Sequence, residues 1–502
     1  MTPQSTKSLL AYTPMLHARM FNETSKFRDN HFQPLRSSLS SHSPPHSPAD
    51  LFLDGNPKFD RPLTVQFCAN DPDEFLNAAK YVAPFCDAVD LNLGCPQGIA
   101  RKGKYGAFLQ EDQDLVFRLI RKLQEELSIP VTAKIRILET KEKTLAYAKK
   151  VLDAGASILT VHGRQREQKG HNTGLADWKM IRFLREELGS EVVLFANGNI
   201  LQRADIDRCL EETGVDGVMS AEGNLYDPAI FAEVPGMGEG GREYWRGIDG
   251  LGGWRMDAVF RRYMDIIYKY VLEVPVPDRK PLYLPSDPEE VETPIKDKED
   301  EEGPARKKQK KEKKEKSTSP NLLAMQAHSF HLLRALVSKH HRVRDALARC
   351  RAGDIAAYEN VLQMVETAVK GGLKEYEETD GKSWEEELAR DERLKEVKKD
   401  DVVETNGEGS GERDAQYESS LEAVKKCKRP WWVVQPYVRP LPKEALAKGS
   451  MTLSKKDKAR LEKQGENSLR KDVDVLCGHT EREKLGNGKE TVEIPKEGLV
   501  CG

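Results

Sequence analysis

The sequence predicts an α/β fold, a (β/α)8-type barrel followed by a small helical domain, and three observations carry that prediction. Short β-branched runs alternate with helical segments from residue 9 to about 220. The polar residues fit for chemistry fall at the carboxyl ends of several different strands. Beyond residue 250 the strand signals stop, and apolar stripes at helical spacing take over.

Taken in order, the predicted strands are 10–13, 63–67, 88–92, 131–136, 158–162, 192–197 and 217–220. Helical segments fall between them at 72–81, 112–127, 141–154, 178–188 and 203–212. A doubly wound sheet would show the same alternation, so the choice rests on where the polar residues lie. Gln66, Asn92 with Cys95, Lys134, His162, and Asn197 with Asn199 close five different strands. A barrel gathers its site from many strand ends, whereas a doubly wound sheet gathers it at one switch point. The strand count is seven, one short of closure, and residues 1–8 are too polar to be the eighth.

These elements define a barrel domain over 9–245, with a Ser/Pro-rich insertion at 33–60. A helical domain is expected over 250–372. Met256, Val259, Phe260, Tyr263, Met264, Ile267, Tyr268 and Val271 form one apolar face, 322–337 a second, and Ile355, Tyr358, Leu362, Val365 and Val369 a third. A Lys-rich linker at 275–320 interrupts this domain. Within it, ARKKQKKEKKEK carries eight basic residues minus two acidic, a local +6, which reads as a solvated linker, a nuclear-import signal or an RNA contact. From 373 to 502 the chain turns charged and is expected to be a mostly disordered tail, apart from the aromatic island RPWWVVQPYVRP at 429–440.

Composition narrows the function classes. The chain has 502 residues; 79 basic against 82 acidic leave a net charge of −3, so any pull toward nucleic acid must be local. A charged fraction of 32% against 38% hydrophobic is too polar for a chain packed throughout around cores. The eight cysteines, at 68, 86, 95, 209, 350, 427, 477 and 501, show no CxxC and suit a reducing compartment. Cys477 and His479 alone do not make a zinc site, so no metal is expected. Residues 1–20 lack the apolar run of a signal peptide, and no stretch reaches the ~20 apolar residues that cross a bilayer. The expectation is a protein of the cytoplasm, the nucleus or both, without a membrane partner and monomeric.

Cys95 follows a strand directly, in LNLGCP, at the face where a barrel builds its site. A lone cysteine is usually a small buried hydrophobe, but this position favours chemistry. With an ordinary pKa of ~8.5, a thiol can donate a proton as a general acid or attack as a thiolate, and the residues leave both roles open. Lys134 and His162 end neighbouring strands. Together with the glycine-containing turn Asn197-Gly198-Asn199 they suit a phosphorylated cofactor, and the turn 220–224 lies where barrels commonly take phosphate. Gly236, Gly238 and Gly241 match GxGxxG, but no strand precedes them, so they read as linker.

Seven segments in order then point to a family: VQFCANDPDEF (65–75), DAVDLNLGCPQG (87–98), KGKYGAFL (102–109), TAKIRI (132–137), LTVHGR (159–164), FANGNI (195–200) and GVMSAEG (217–223). In order and spacing they resemble the tRNA-dihydrouridine synthases, most closely the eukaryotic branch acting at tRNA positions 16 and 17. The resemblance implies an FMN-containing barrel with a helical tRNA-binding domain, reducing the C5=C6 bond of uridine with electrons from NADPH or NADH. It makes Cys95 the acid that protonates C5 while reduced flavin delivers hydride to C6. It assigns Gln66, Lys134 and His162 to the flavin ring and ribityl chain, and Asn197, Gly198, Asn199, Ala221, Glu222 and Gly223 to the phosphate end. Glu222 stands where many relatives have arginine, so backbone N–H groups are expected to meet the phosphate. Arg101, Lys102 and Tyr105 belong to the loop that would close over a uridine flipped from its stack.

The family's first strand, which carries an Ala-Pro-Met type motif lining the flavin, has no counterpart, in agreement with the count of seven. An incomplete gene product or isoform is the favoured reading, a lost part of the cofactor site the other. Two further functions stand beside the reductase: a non-catalytic tRNA-binding protein, suggested by the missing strand and by His340-His341-Arg342-Val343-Arg344, and a flavin barrel acting on a free pyrimidine, which the helical domain disfavours.

Overall fold

A computed structural model describes residues 9–35, 53–170, 173–248, 250, 252–288, 319–396 and 420–440. Most of the 33–60 insertion, the lysine-rich run and the charged stretches 397–419 and 441–502 lie outside the described residues.

The barrel strands are β1 (Ala11–Tyr12), β2 (Leu16–His17), β3 (Leu63–Cys68), β4 (Ala88–Leu93), β5 (Val131–Arg136), β6 (Ile158–His162), β7 (Val193–Asn197) and β8 (Gly217–Met219). All neighbours pair in parallel, in the order β1-β3-β4-β5-β6-β7-β8, and β2 also pairs with β3. Ala11 sits opposite Leu63 and Leu16 opposite Phe67, so β1 and β2 are two pieces of one stave. Thr13 bridges the break, with its N–H on the Thr64 carbonyl and its Oγ1 accepting from the Gln66 N–H at 3.1 Å. Seven staves result, as the sequence predicts. Among the described residues β8 and the β1/β2 stave are the sheet edges, with no strand between them.

The predicted strands all reappear with their ends shifted by no more than a single position, because short β-branched and apolar runs mark them off from the helical segments between. Nothing in the sequence signals β2 or the helices α1 (Ala18–Glu23) and α2 (Ser25–His31), which are short and lack side-chain caps. The outer helices α3 (Pro72–Val82), α5 (Gln113–Glu126), α6 (Lys141–Asp153), α7 (Trp178–Leu188) and α8 (Arg203–Thr213) start on side-chain caps. Asp71, Asp112, Thr140 and Asp177 each accept a first-turn N–H, and Gln202 with Asp205 forms a capping box. Their apolar faces, such as Val116, Leu119, Ile120 and Leu123 of α5, bury against Val65, Leu91, Ile135 and Val161 of the staves. Each such side chain contributes about 1.5–3 kcal/mol.

The helical unit has its own core. A hairpin, β9 (Tyr244–Arg246) with β10 (Gly252–Trp254), leads into α10 (Met256–Ile266), followed by α11 (Pro320–Leu332), α12 (Arg334–Lys339), α13 (His341–Arg349) and α14 (Ile355–Glu378). The predicted stripes of α10, α11 and α14 pack on one another. Structure continues past 373: α14 runs unbroken through that position, and α15 (Lys382–Glu396) follows. The aromatic island, set within a tail by its charged surroundings, joins this core. Trp431, Trp432, Val433 and Val434 are buried, the Met256 N–H donates to the Trp432 carbonyl at 2.8 Å, and the Val434 N–H donates to the Trp254 carbonyl at 2.9 Å. Its apolar area covers α10 and α14, helices far back along the chain, a pairing no local pattern signals. No helix among the described residues is long and apolar enough to cross a membrane.

Candidate active site at the barrel rim

Inward-facing positions of β3 to β7 are polar. Gln66, Asp90, Asn92, Thr132, Lys134, Arg136, Thr160, His162 and Asn197 are all buried, and those on one stave fall at every second residue. Buried polar groups need partners, and this layer supplies many of its own. Gln66 Nε2 donates to Asp90 at 2.9 Å, Thr132 Oγ1 donates to the other Asp90 oxygen at 2.6 Å, and Asn92 Nδ2 donates to Gln66 Oε1 at 2.8 Å. Burial pushes the Asp90 carboxyl up to about 6, against the pull of those donors and of Lys134.

Cys95 lies on the loop after β4, 2% exposed, in a small cluster with Cys68, Ala100 and Tyr105. Asn92 shapes that loop, its Oδ1 accepting the N–H groups of Gly94 at 3.1 Å and Cys95 at 2.9 Å. Arg136 Nε binds the Gly94 carbonyl at 2.6 Å, and Lys169 Nζ binds the Pro96 carbonyl at 2.7 Å, which ties the loop to its neighbours after β5 and β6. Of the three residues expected over the substrate, the structure brings one in. Tyr105 is buried beside Cys95, edge-on to the His17 ring at 5.2 Å, whereas Arg101 and Lys102, on α4 (Gly98–Gly103), face solvent.

His162 and Asn197 are opposite one another in the β6–β7 register. His162 Nδ1 and Asn197 Oδ1 are buried without a hydrogen-bond partner among the described residues. Burial, then Lys134, Arg136 and Arg164, holds the imidazole well below its ordinary 6.5, so it is neutral at physiological pH. On the other edge its Nε2 meets Arg164 Nη1 at 3.0 Å. Arg164 Nη2 donates to Asn199 Oδ1 at 2.8 Å, and Asn199 also clasps Ala176 through both its Oδ1 and its Nδ2. The Asn199 side chain therefore positions Arg164 and the turn. Gly198 has φ +109°, and a Cβ there would stand 2.6 Å from the Ala176 Cβ and 3.1 Å from the His162 ring. After β8, Ala221 precedes the short helix α9 (Glu222–Tyr226), whose Gly223 lies so close to the loop after β7 that a Cβ would collide with the Ile200 carbonyl.

Sequence reasoning missed Asp90, Arg136, Arg164 and Arg439. Asp90 and Arg136 were legible as inward residues two positions from Asn92 and Lys134, and Arg164 as the near neighbour of His162. Arg439, 217 residues from its partner Glu222, carried no signal. Its Nε and Nη2 donate to Glu222 Oε1 at 2.9 and 2.8 Å.

The arrangement offers orphaned buried polar atoms beneath a glycine turn, cations beside them, and a thiol on the loop after β4 at the same end of the barrel. A phosphorylated, planar heteroaromatic cofactor fits that set: the unpartnered His162 and Asn197 atoms can take up its polar edges, and Lys134 and Arg164 can compensate its charge. Among the described residues no three His, Cys, Asp or Glu side chains are grouped to hold a metal.

The pattern of the dihydrouridine synthase (Dus) family matches residues 1–241. Over 433 residues, 86% of this chain and 82% of the relative, the sequence is 40% identical to a protein of Schizosaccharomyces pombe named tRNA-dihydrouridine(16/17) synthase [NAD(P)(+)]. A Saccharomyces cerevisiae protein of the same name is 58% identical over 222 residues, 44% of this chain and 48% of the relative. A Rattus norvegicus protein named tRNA-dihydrouridine(16/17) synthase [NAD(P)(+)]-like is 48% identical over 236 residues, 47% of this chain and 49% of the relative. The last two alignments span about half the length of those relatives.

Proposed function

The chain belongs to the dihydrouridine synthase family, and from that premise we propose that it reduces uridine to 5,6-dihydrouridine in the D-loop of tRNA, as an FMN enzyme reduced by NADPH or NADH. The single observation that carries the reading is the pair of orphaned buried atoms, His162 Nδ1 and Asn197 Oδ1, on adjoining stave ends of the rim that holds Cys95. Gln66, Lys134 and His162 are assigned to the flavin ring and ribityl chain, and Asn197, Gly198, Ala221 and Gly223 to the phosphate end. Asn199 acts there through Arg164, and Glu222 through Arg439.

FMN, when bound, supplies the hydride to uracil C6. The protein supplies the rest. Cys95 Sγ gives its proton to C5, and the thiolate is reprotonated from solvent, so one hydride and one proton saturate the C5=C6 bond. Asn92 fixes the backbone beneath that thiol, and Arg136 fixes the preceding carbonyl. Tyr105 is buried in one cluster with Cys95, and in this reading the segment from α4 to Tyr105 swings out to admit a base flipped from the RNA stack, with Arg101 and Lys102 meeting its phosphates.

The test pairs colour with product. Purified wild type should be yellow and form dihydrouridine in tRNA. Cys95→Ala should stay yellow and lose product formation by roughly 100-fold or more. A wild-type protein that cannot be reconstituted with FMN, or a Cys95→Ala protein with wild-type turnover, sinks the reading. The open edge between β8 and the β1/β2 stave favours one second reading, a tRNA-binding member without catalysis. It would show tRNA affinity that persists without flavin and makes no product.

A further inference from the structure

The loops after β7 and β8 face a segment that comes from far along the chain. Residues 429–440 leave the helical core, anchored by Trp431 to Val434, and run back to the barrel. Gln435 knots the turn through the carbonyls of Arg429 and Pro430, and Tyr437 packs on Tyr226 at 5.7 Å with Arg334 over its ring at 4.8 Å. Two residues on, Arg439 reaches the first residue of α9.

A clasp is the plain reading of the Arg439–Glu222 pair, but the numbers make it a weak one. The Arg439 side chain is 41% and that of Glu222 34% exposed. Ion pairs of that kind contribute about 0–1 kcal/mol. The segment is already fastened by the buried side chains of Trp431, Trp432, Val433 and Val434. The charge count also fails to close. Arg164, two residues past the end of β6, has neutral hydrogen-bond partners among the described residues: His162, Asn199 and the Gly174 carbonyl. Burial and then Arg136 lower its guanidinium to about 10, with Arg439 adding to that effect and Glu222 opposing it, so Arg164, Arg439 and Glu222 share one field. Arg439 meets Glu222 at the loop after β8, and Arg164, which meets His162, lies within the field of both, beside two orphaned buried atoms. Among the described residues Arg439 spends two of its five N–H donors, both on a single oxygen, which leaves three for an anion.

We infer that Arg439 is a phosphate-binding residue of the cofactor site: the C-terminal segment carries its guanidinium to the rim of β7 and β8, Glu222 aims it, and together with Arg164 it receives the phosphate monoester of the flavin. The inference deepens the proposed function and rests on it. It makes the cofactor site depend on the segment 429–440, so that cofactor retention and the docking of the helical unit onto the barrel are linked.

The test compares two ligands that differ only in the phosphate. The full chain, freed of flavin, is titrated with FMN and with riboflavin by fluorescence quenching, for wild type, Arg439→Gln and Glu222→Gln. Arg439→Gln should weaken FMN by roughly tenfold or more, as expected for a lost charge-assisted contact, and leave riboflavin within about twofold. Glu222→Gln removes the competing negative charge without removing the cation. The Gln amide oxygen can still accept from Arg439 and aim it, so the FMN-to-riboflavin affinity ratio should rise. A pure clasp predicts the same change from breaking either partner. Equal effects of the two variants, a common loss of both flavins in Arg439→Gln, or wild-type FMN affinity in that variant overturns the assignment while leaving the proposed function standing. A wild-type chain that binds neither flavin overturns both.

Discussion

Asn92 holds Cys95 in place through one oxygen: Asn92 Oδ1 accepts the Cys95 N–H at 2.9 Å while Asn92 Nδ2 donates to Gln66 Oε1 at 2.8 Å. One amide therefore links the loop carrying the thiol to the polar layer inside the barrel, and through Gln66 to Asp90. In the proposed function Cys95 is the general acid, and an acid works only where its proton is aimed, so on that reading this link acts on catalysis without touching substrate.

Replacing Asn92 by Ala tests that link. Two N–H groups and the Gln66 oxygen lose their partner in a buried layer, where each unsatisfied group costs about 1–3 kcal/mol. The variant is expected to keep its flavin, to lose roughly tenfold or more in kcat for dihydrouridine formation with little change in KM for tRNA, and to melt at a lower temperature. A kcat equal to wild type would mean that the loop holds the thiol without Asn92.

His162 sets a pH dependence whose sign follows from its burial. The folded imidazole titrates below the unfolded 6.5, pushed down first by desolvation and then by Lys134, Arg136 and Arg164. Below pH 6.5 the unfolded chain takes a proton that the folded chain refuses. The contribution is thus present in full above 6.5 and lost as pH falls, by at most about 1.4 kcal/mol per pH unit. Asp90, raised to about 6, works the other way, since its folded carboxyl gains a proton as pH falls through 6. Only the difference between wild type and His162→Gln isolates the imidazole. Denaturant unfolding from pH 7.5 to 5 should show wild type losing stability faster than the variant; parallel curves would exclude a neutral buried imidazole.

The barrel was legible, and so was the placement of several polar residues at its rim. Strand runs such as Val131 to Ile135, rich in β-branched residues, can be read without tertiary context, and a residue at a strand's carboxyl end, such as His162 or Asn197, is placed at the rim by the fold class alone. Tyr105 and Lys102 looked equivalent in the loop sequence, yet one is buried on Cys95 and the other faces water. Side-chain direction there is set by the left-handed Lys104 at φ +52°, which closes α4 and turns the chain back. Arg439 and Glu222 could not be paired from sequence, because nothing local records which of many exposed charges will meet across 217 positions. The same holds for the island at 429–440: its aromatic residues stood out from the charged tail, and only the packing shows that they are buried and against what.

That island yields the sharpest stability prediction. Trp432 is 3% exposed, packed at 5.8 Å from Trp245, 5.9 Å from Tyr376 and 5.3 Å from Trp431. Gly372, within α14, leaves the notch these rings fill, since a Cβ there would stand 2.6 Å from Trp431 and 2.9 Å from Trp432. A chain that had merely draped over the domain would lose little on trimming. A ring seated in the core should cost about 3–5 kcal/mol as Trp432→Ala, by lost transfer energy and by the cavity left behind. Gly372→Ala should destabilise the same unit by overpacking, by about 1–3 kcal/mol. Denaturant unfolding followed by tryptophan fluorescence and near-ultraviolet circular dichroism checks both. If Trp432→Ala cost less than about 1 kcal/mol, well under the range for a buried ring, the segment would be an appendage, and its arginine could not be held at the rim of the barrel.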